Sequence, residues 1–364
     1  MSLALSNQDF LQWSLTQAKN RDFSPTHYEI SKGWQTATET LQVRVLDKGV
    51  LEFQNLRTNA THAKAIVLSC GIHGNETAPI EICNDIVNQL LKGELHCAHR
   101  LMVQFGNLEA MLIGQRFVEE NLNRLFSGAH GIRPDDKSNL SEPLNPERRR
   151  AFALEQHTRQ FFQQETDTKA HRIHYDLHTA IRDSAHERFA IYPFRHGKPY
   201  RKSQLAFLDK CGVDTVLISE QPTTTYSYFS SNEFGADAFT VELGKVKPFG
   251  ENHHDDFAKA RNALIELVSK PQPTINMDAW QHMNLYQINQ VIEKQSQSFR
   301  LAFDDQTANF TPFAKGQAIA YEDEQALTAT QDDERIVFPN ANVPVGQRAL
   351  LTVIPADLSQ QLMD

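Results

Sequence analysis

Residues 64–93, KAIVLSCGIHGNETAPIEICNDIVNQLLKG, constrain the fold of this chain more than any other segment. The first seven form a continuous apolar run of strand length, the pattern of a strand buried on both faces. Gly71 follows, and from 77 to 91 the apolar residues recur at helical spacing. Pro79 falls in the first turn of that helix and Gly93 just past its end, the positions where each residue costs a helix least. Strand, tight loop and helix make half of a β-α-β unit.

The pattern recurs along the chain. After a short helical N-terminus come two strand-like runs, LQVRVLD (41–47) and GVLEFQ (49–54). Residues 101–107, 172–179, 188–194, 214–220 and 237–244 also have strand character, and residues 201–212 and 255–270 have helical spacing. Alternation of apolar strands with helices predicts an α/β sheet covered on both faces. Residues 127–146, rich in Gly, Pro, Asp, Asn and Ser, make a long polar loop, either a functional lid or a disordered stretch. Lys270-Pro271-Gln272-Pro273 marks a boundary. Beyond it FRLAF, QAIAYE, RIVFP and RALLTVI alternate between turn residues, which predicts a small all-β domain. The expected division is a catalytic α/β domain over 1–272 and a C-terminal β domain over 273–364, in line with about two domains for 364 residues.

Composition narrows the function. The chain has 36 Lys+Arg against 45 Asp+Glu, a net charge of −9. Nucleic-acid backbones call for clustered cations, so nucleic acid is not an expected partner. An anionic small molecule remains compatible if cations are concentrated locally. No run reaches the ~18 apolar residues of a membrane span, and the N-terminus lacks a secretory pattern. Cys70, Cys83, Cys97 and Cys211 fall at no motif spacing and are expected to be buried, reduced thiols of a cytoplasmic protein.

The chemistry concentrates in CGIHGNETAP. His73 and Glu76 stand in the loop after a buried strand, where open α/β sheets build their sites. Both are zinc donors, and a catalytic zinc takes three protein ligands. The best third candidate is His178, at the end of the strand containing YDLHTA. Asp176 shares its face and is placed to orient its imidazole. His174 lies ~13 Å from His178 along an extended strand, too far to share one ion. His253 and His254 fit a solvated helix start. In AFTVELG, Glu242 and Thr240 face opposite to Phe239, Val241 and Leu243. A carboxylate in such a strand is either ion-paired or the general base of a hydrolysis. Arg116, Asn123 and Arg124 are candidate carboxylate binders; the alternative pairs the arginines with Glu119 and Glu120.

Together GIHGNETAP, GNLEAM, QRFVEENLNRLF, YDLHTAIRDSAHERFAIYP and TVELGKVKPFG resemble the succinylglutamate desuccinylase/aspartoacylase family, relatives of zinc carboxypeptidases. The likeness spans nearly the whole chain, including FTPFAKGQAIAYEDE and VFPNANVPVGQRALL. It implies a phosphorylase/hydrolase-like mixed α/β sheet with helices on both faces, followed by the small β domain. It implies one Zn2+ per chain held by His73, Glu76 and His178, with Glu242 as catalytic carboxylate. Arg116 would polarise the scissile carbonyl, and Asn123 with Arg124 would hold a substrate carboxylate. The implied reaction is hydrolysis of N-succinyl-L-glutamate to succinate and L-glutamate, closing bacterial arginine breakdown through succinylated intermediates. One departure stands out: Asn121 occupies a position where many relatives carry Asp. If that Asp supports the arginine, Arg124 needs support from elsewhere. Lys245 and Arg182 adjoin the motifs as further candidate contacts. Rival readings are an aspartoacylase-like deacylase of N-acyl-aspartate, a carboxypeptidase, and a metal-binding module without turnover. The oligomeric state is not fixed by the sequence; a homo-oligomer is compatible with it.

Overall fold

The computed structural model describes residues 9–19, 24–34, 37–56, 64–133, 145–164 and 170–363. In chain order the strands are β1 (Thr26–Trp34), β2 (Ala37–Asp47), β3 (Val50–Asn55), β4 (Ala65–Cys70), β5 (Arg100–Phe105), β6 (Arg172–Ala180), β7 (Phe189–Tyr192), β8 (Tyr200–Arg201) and β9 (Thr215–Ile218). They continue with β10 (Asp237–Lys245), β11 (Asn284–Glu293), β12 (Arg300–Leu301), β13 (Pro312–Phe313), β14 (Ala318–Glu322), β15 (Gln325–Thr328), β16 (Glu334–Val337), β17 (Arg348–Pro355) and β18 (Leu362–Met363). The α-helices are α1 (Phe10–Ala18), α2 (Thr77–Leu91), α3 (Leu108–Leu112), α4 (Pro146–Gln163), α5 (Lys202–Lys210), α6 (Tyr226–Phe234) and α7 (Ala258–Ser269).

All six residues of β4 are buried, as a continuous apolar run in a covered sheet requires. β4 lies parallel between β5 and β6. β10 runs parallel to β6 and antiparallel to β7, so the sheet is mixed. Helix α2 ends as the sequence indicates: Gly93 takes φ 63°, a left-handed conformation that strains any residue with a Cβ.

Successive β4 residues face opposite layers. Ile66, Leu68 and Cys70 pack with Ile86 and Leu90 of α2 and Leu264 of α7. Val67 packs on the other side with Leu154 and Phe161 of α4 and Tyr226 and Phe229 of α6. The sheet is therefore sealed on both faces, and its functional groups emerge where the parallel strands end. All four cysteines are free and buried.

The C-terminal region is mainly β; four of its strands extend the central sheet, and β12, β14 and β15 form a separate three-stranded sheet. β11 pairs in parallel with β9, from Asn284 opposite Thr215 to Gln287 opposite Ile218, and β17, β16 and β13 follow in a 13-stranded order. Phe189 and Leu217 from the catalytic region share one apolar cluster with Tyr286, Phe310, Val337, Leu351 and Val353. Burial at this seam fixes the C-terminal region against the end of the sheet that carries the site.

Helices α4 and α6 and strands β1 and β11 are not predicted by the sequence reading. PERRRAFALEQHTRQFFQ hides its helix in charge, but Asn145 caps it by accepting from the Glu147 and Arg148 amides. YSYFSSNEF in α6 has weak intrinsic preference for helix and is held by burial of Tyr226 and Phe229. Of the polar stretch 127–146, residues 134–144 lie outside the described residues.

Candidate metal centre and active site

Two strand ends bring the predicted donors together. His73 and Glu76 lie between β4 and α2, and His178 lies near the end of β6. One donor atom from each falls within 4.8 Å of the others, and all three residues are buried.

The hydrogen bonds define which ring nitrogens face the cluster. His73 Nδ1 is 2.8 Å from Glu76 Oε1, and His178 Nδ1 is 2.8 Å from Glu76 Oε2. On the far side, Asn121 Oδ1 accepts from the Asn123 amide at 3.0 Å, so it is an acceptor toward His73 Nε2 at 2.9 Å. Asp176 Oδ2 accepts from His178 Nε2 at 2.9 Å. Both Nε2 atoms therefore carry a proton, and both Nδ1 atoms face the Glu76 carboxylate, where a neutral ring presents a lone pair. A lone pair and a carboxylate oxygen at that distance repel unless a proton or a cation lies between them. Two imidazoles, a carboxylate and outer hydrogen bonds that fix the ring orientations fit a zinc-like divalent ion.

The electrostatics agree with a site built for positive charge. Burial opposes a charged His178, but Asp176 and Glu76 outweigh it and raise its pKa well above the ordinary value. Burial and Arg116 lower His73 to about 4 despite Glu76. Burial opposes ionisation of Glu76, but the two histidines and Arg116 hold its carboxyl well below the usual range. Behind the cluster, Ser69 Oγ donates to Asp176 Oδ1 at 2.5 Å and lies 2.8 Å from His174 Nε2, while His174 Nδ1 meets Ser230 Oγ at 2.7 Å. His174 is thus engaged away from the cluster, as strand geometry requires.

Glu242 faces the same site from β10, opposite His178 in the parallel register. Phe239, Val241 and Leu243 point to the core, as the alternation predicts. Glu242 is 6 % exposed, and its Oε2 is buried without a hydrogen-bond partner among the described residues. Burial, reinforced by the nearby negative charge of Glu76, pushes its pKa up to about 7. The ion-paired alternative is not what the geometry gives.

These residues line a cavity of about 520 Å³ whose walls include Arg116, Asn123 and Arg124. Arg116 Nη1 donates to Glu76 Oε1 at 2.7 Å. Asn123 Oδ1 is committed to the Tyr226 amide at 3.0 Å, leaving its Nδ2 for a ligand. Arg124 donates to the Asn123 carbonyl at 3.0 Å and has no carboxylate partner among the described residues. Glu120 pairs instead with Arg148 at 2.7 Å.

Asn121 bonds His73 Nε2 rather than Arg124, so this residue orients a candidate metal ligand from behind and does not support the arginine. Arg182 lines the cavity, but its guanidinium donates to the carbonyls of Asp305, Thr307 and Pro339. Lys245 is exposed and paired with Asp183 at 2.6 Å. His253 and His254 are exposed at a helical start. Sequence reasoning missed Arg348 and Asn309, which line the cavity from the C-terminal region. Their long-range pairing leaves no local signature, although Arg348 lies in the quoted segment VPVGQRALL.

A mixed α/β sheet carrying a buried His-Glu-His cluster, with a carboxylate and an arginine beside it, defines an amide hydrolase with a candidate metal centre. Residues 62–268 match the succinylglutamate desuccinylase/aspartoacylase catalytic domain, and residues 281–356 match the barrel-sandwich hybrid domain of the same family. The chain belongs to the succinylglutamate desuccinylase/aspartoacylase family. It is 44% identical over 346 residues to a succinylglutamate desuccinylase of Idiomarina loihiensis, covering 95% of each chain. A solved succinylglutamate desuccinylase from Chromobacterium violaceum superposes with a TM-score of 0.78 at 37% identity, over 96% of this chain and 98% of the other. One from Vibrio parahaemolyticus gives 0.81 at 33% identity, over 96% of each.

Proposed function

We propose that this chain hydrolyses N-succinyl-L-glutamate to succinate and L-glutamate, using one Zn2+ held by His73, Glu76 and His178. The observation that carries the reading is Glu242, a buried carboxylate with an unpartnered oxygen, set against a His-Glu-His cluster in an arginine-lined cavity. The named relatives share that substrate name over nearly their whole length. The reading places the activity in the bacterial cytoplasm, at the end of arginine breakdown through succinylated intermediates. Among the described residues no helix is long and apolar enough to cross a membrane. The division into a catalytic part, 1–272, and a C-terminal β part, 273–364, belongs to the same proposal and is supported by the two family matches.

When bound, zinc supplies a Lewis acid that acidifies water and polarises the amide carbonyl. Glu242 takes the proton from the attacking water and returns it to the departing amine of glutamate. Its raised pKa suits both halves of that exchange near neutrality. Arg116 donates to the oxygen that gains charge as the carbonyl becomes tetrahedral. Asn123 Nδ2 and Arg124 hold a substrate carboxylate and fix the amide against Glu242.

The test compares purified zinc-loaded protein on N-succinyl-L-glutamate and N-acetyl-L-aspartate, with products separated by chromatography. The expected kcat/KM ratio favours the former by about 100-fold or more. A reversed ratio assigns the chain to the deacylases of N-acyl-aspartate, and no turnover of either overturns the reading.

A further inference from the structure

Arg348 opens β17 and reaches the catalytic cavity from the C-terminal region, more than 200 residues along the chain from Arg116 and Arg124. Among the described residues its buried Nε has no hydrogen-bond partner and no carboxylate pairs with it. Its guanidinium carbon sits 5.8 Å from the centroid of the Phe338 ring, which orients the planar group without neutralising it. Asn309, 1 % exposed, lines the same cavity. Its Oδ1 accepts from the Phe338 amide at 2.8 Å, which leaves Nδ2 as the donor, buried and unpartnered among the described residues.

The wall holding these donors is fixed to the catalytic strands. Arg182, just past β6, clamps the carbonyls of Asp305, Thr307 and Pro339, and the Ala185 amide donates to the Asn309 carbonyl at 3.0 Å. Four arginines line one cavity; Arg182 is spent on backbone carbonyls, and of Arg116, Arg124 and Arg348 only Arg116 has a carboxylate on it among the described residues, Glu76. Their mutual repulsion is felt: Arg348 first, then burial, holds Arg124 well below the usual arginine range, and burial with Arg116 pushes Arg348 down to about 10. Cations gathered without counterions in a chain of net charge −9 are costly unless a ligand brings the missing negative charge.

We propose that Arg348 and Asn309 form a carboxylate subsite, contributed by the C-terminal β region, that binds a second carboxylate of the substrate besides the one held by Arg124 and Asn123. The proposal rests on the hydrolase reading and deepens it: it assigns the selection of a polyanionic over a monoanionic amide to the C-terminal region. A guanidinium fork and an amide N–H converging on one carboxylate supply charge-assisted hydrogen bonds with fixed geometry, which a lysine reproduces only in charge.

The experiment uses the zinc-loaded full chain, its Arg348→Gln, Arg348→Lys and Asn309→Ala variants, and four substrates: N-succinyl-L-glutamate and the three analogues in which one carboxylate at a time is a carboxamide. In Arg348→Gln the loss is expected in KM, by about tenfold or more, rather than in kcat. Discrimination against one of the three carboxamides collapses, which identifies the end of the substrate that Arg348 holds. Arg348→Lys recovers part of the loss, and Asn309→Ala weakens the same discrimination. Unchanged discrimination against all three analogues in Arg348→Gln overturns the subsite. Calorimetric titration of glutarate and succinate into the same proteins separates this proposal from the function. A roughly tenfold weaker affinity in Arg348→Gln, with an unshifted melting temperature, supports the subsite even if N-succinyl-L-glutamate proves not to be the substrate. Equal affinities in wild type and variant, or no binding of either diacid to the wild type, reject it.

Discussion

Glu242 and His178 stand directly opposite each other on neighbouring parallel strands, and Glu242 Oε2 makes no hydrogen bond among the described residues. Adjacent strands are ~4.8 Å apart, so the register alone sets a carboxylate beside the His73, Glu76 and His178 cluster. Glu242→Gln keeps the shape and removes the proton acceptor. We expect kcat to fall by about 10²–10⁴-fold with bound zinc unchanged by elemental analysis. Undiminished hydrolysis in that variant would take Glu242 out of the mechanism.

The same carboxyl makes stability depend on pH. Its folded pKa is about 7, raised first by burial and then by Glu76, against an ordinary value near 4.5. Below pH ~4.5 both folded and unfolded forms hold the proton, and Glu242 has no effect. Between ~4.5 and 7 the folded form holds a proton that the unfolded form releases, so stability falls as pH rises. Above 7 the full penalty stands, roughly 3 kcal/mol. Metal-free Glu242→Gln is therefore expected to be more stable than metal-free wild type at pH 8 and level with it at pH 4.5. Urea titrations in the presence of chelator measure this, and parallel pH profiles for the two proteins would refute it.

The catalytic half of the molecule was legible because its groups lie next to buried strands. The run before Gly71 and the alternation around Glu242 single out His73, Glu76 and Glu242 as candidates, His178 is the best third donor at another strand end, and the family resemblance supplies their implied roles. What escaped depends on pairing between distant segments. In β11 only Tyr286 and Ile292 are buried, so nothing local announces that it joins β9 and pairs with β17, the strand that brings Arg348 to the cavity. Asn121 reads as an irregularity in an arginine motif until its partner, 48 residues earlier, proves to be His73. Helix α6 has little intrinsic helical preference and exists because the Tyr226 and Phe229 rings are buried.

Asn121 leads to a prediction about metal affinity. Its Oδ1 fixes the proton of His73 on Nε2 and so aims the Nδ1 lone pair at the cluster. In Asn121→Ala the ring loses that restraint, and zinc affinity is expected to drop by about 10–100-fold. Asn121→Asp keeps an acceptor at the same place and is expected to hold zinc at least as tightly as wild type. Competition against a chromophoric chelator distinguishes the two variants; equal loss in both would mean that bulk, not the acceptor, matters at this position.

Gly74 shows how closely the ligand loop is built onto the rest of the site. A Cβ there would lie 2.4 Å from the Ala110 carbonyl carbon and 2.4 Å from the Met111 amide nitrogen, both backbone atoms of α3. The Gly74 amide also donates to the Arg116 carbonyl at 3.1 Å, tying the ligand loop to the arginine beside Glu76. Gly74→Ala cannot be relieved by turning a side chain, so the loop must move away from α3 and carry His73 and Glu76 with it. The expected cost is about 1–3 kcal/mol of stability, seen as a lower melting temperature, together with reduced zinc content and weaker hydrolysis. Gly71→Ala is a contrasting case, because its Cβ would meet Met111 Cε, the far end of a flexible chain, at 2.1 Å, while its φ of 64° adds backbone strain. Pairing Gly71→Ala with Met111→Ala is expected to recover the steric part of the loss, whereas Gly74→Ala is not rescued by Met111→Ala. Recovery of zinc content in the latter double variant would show that the loop is not held by the α3 backbone.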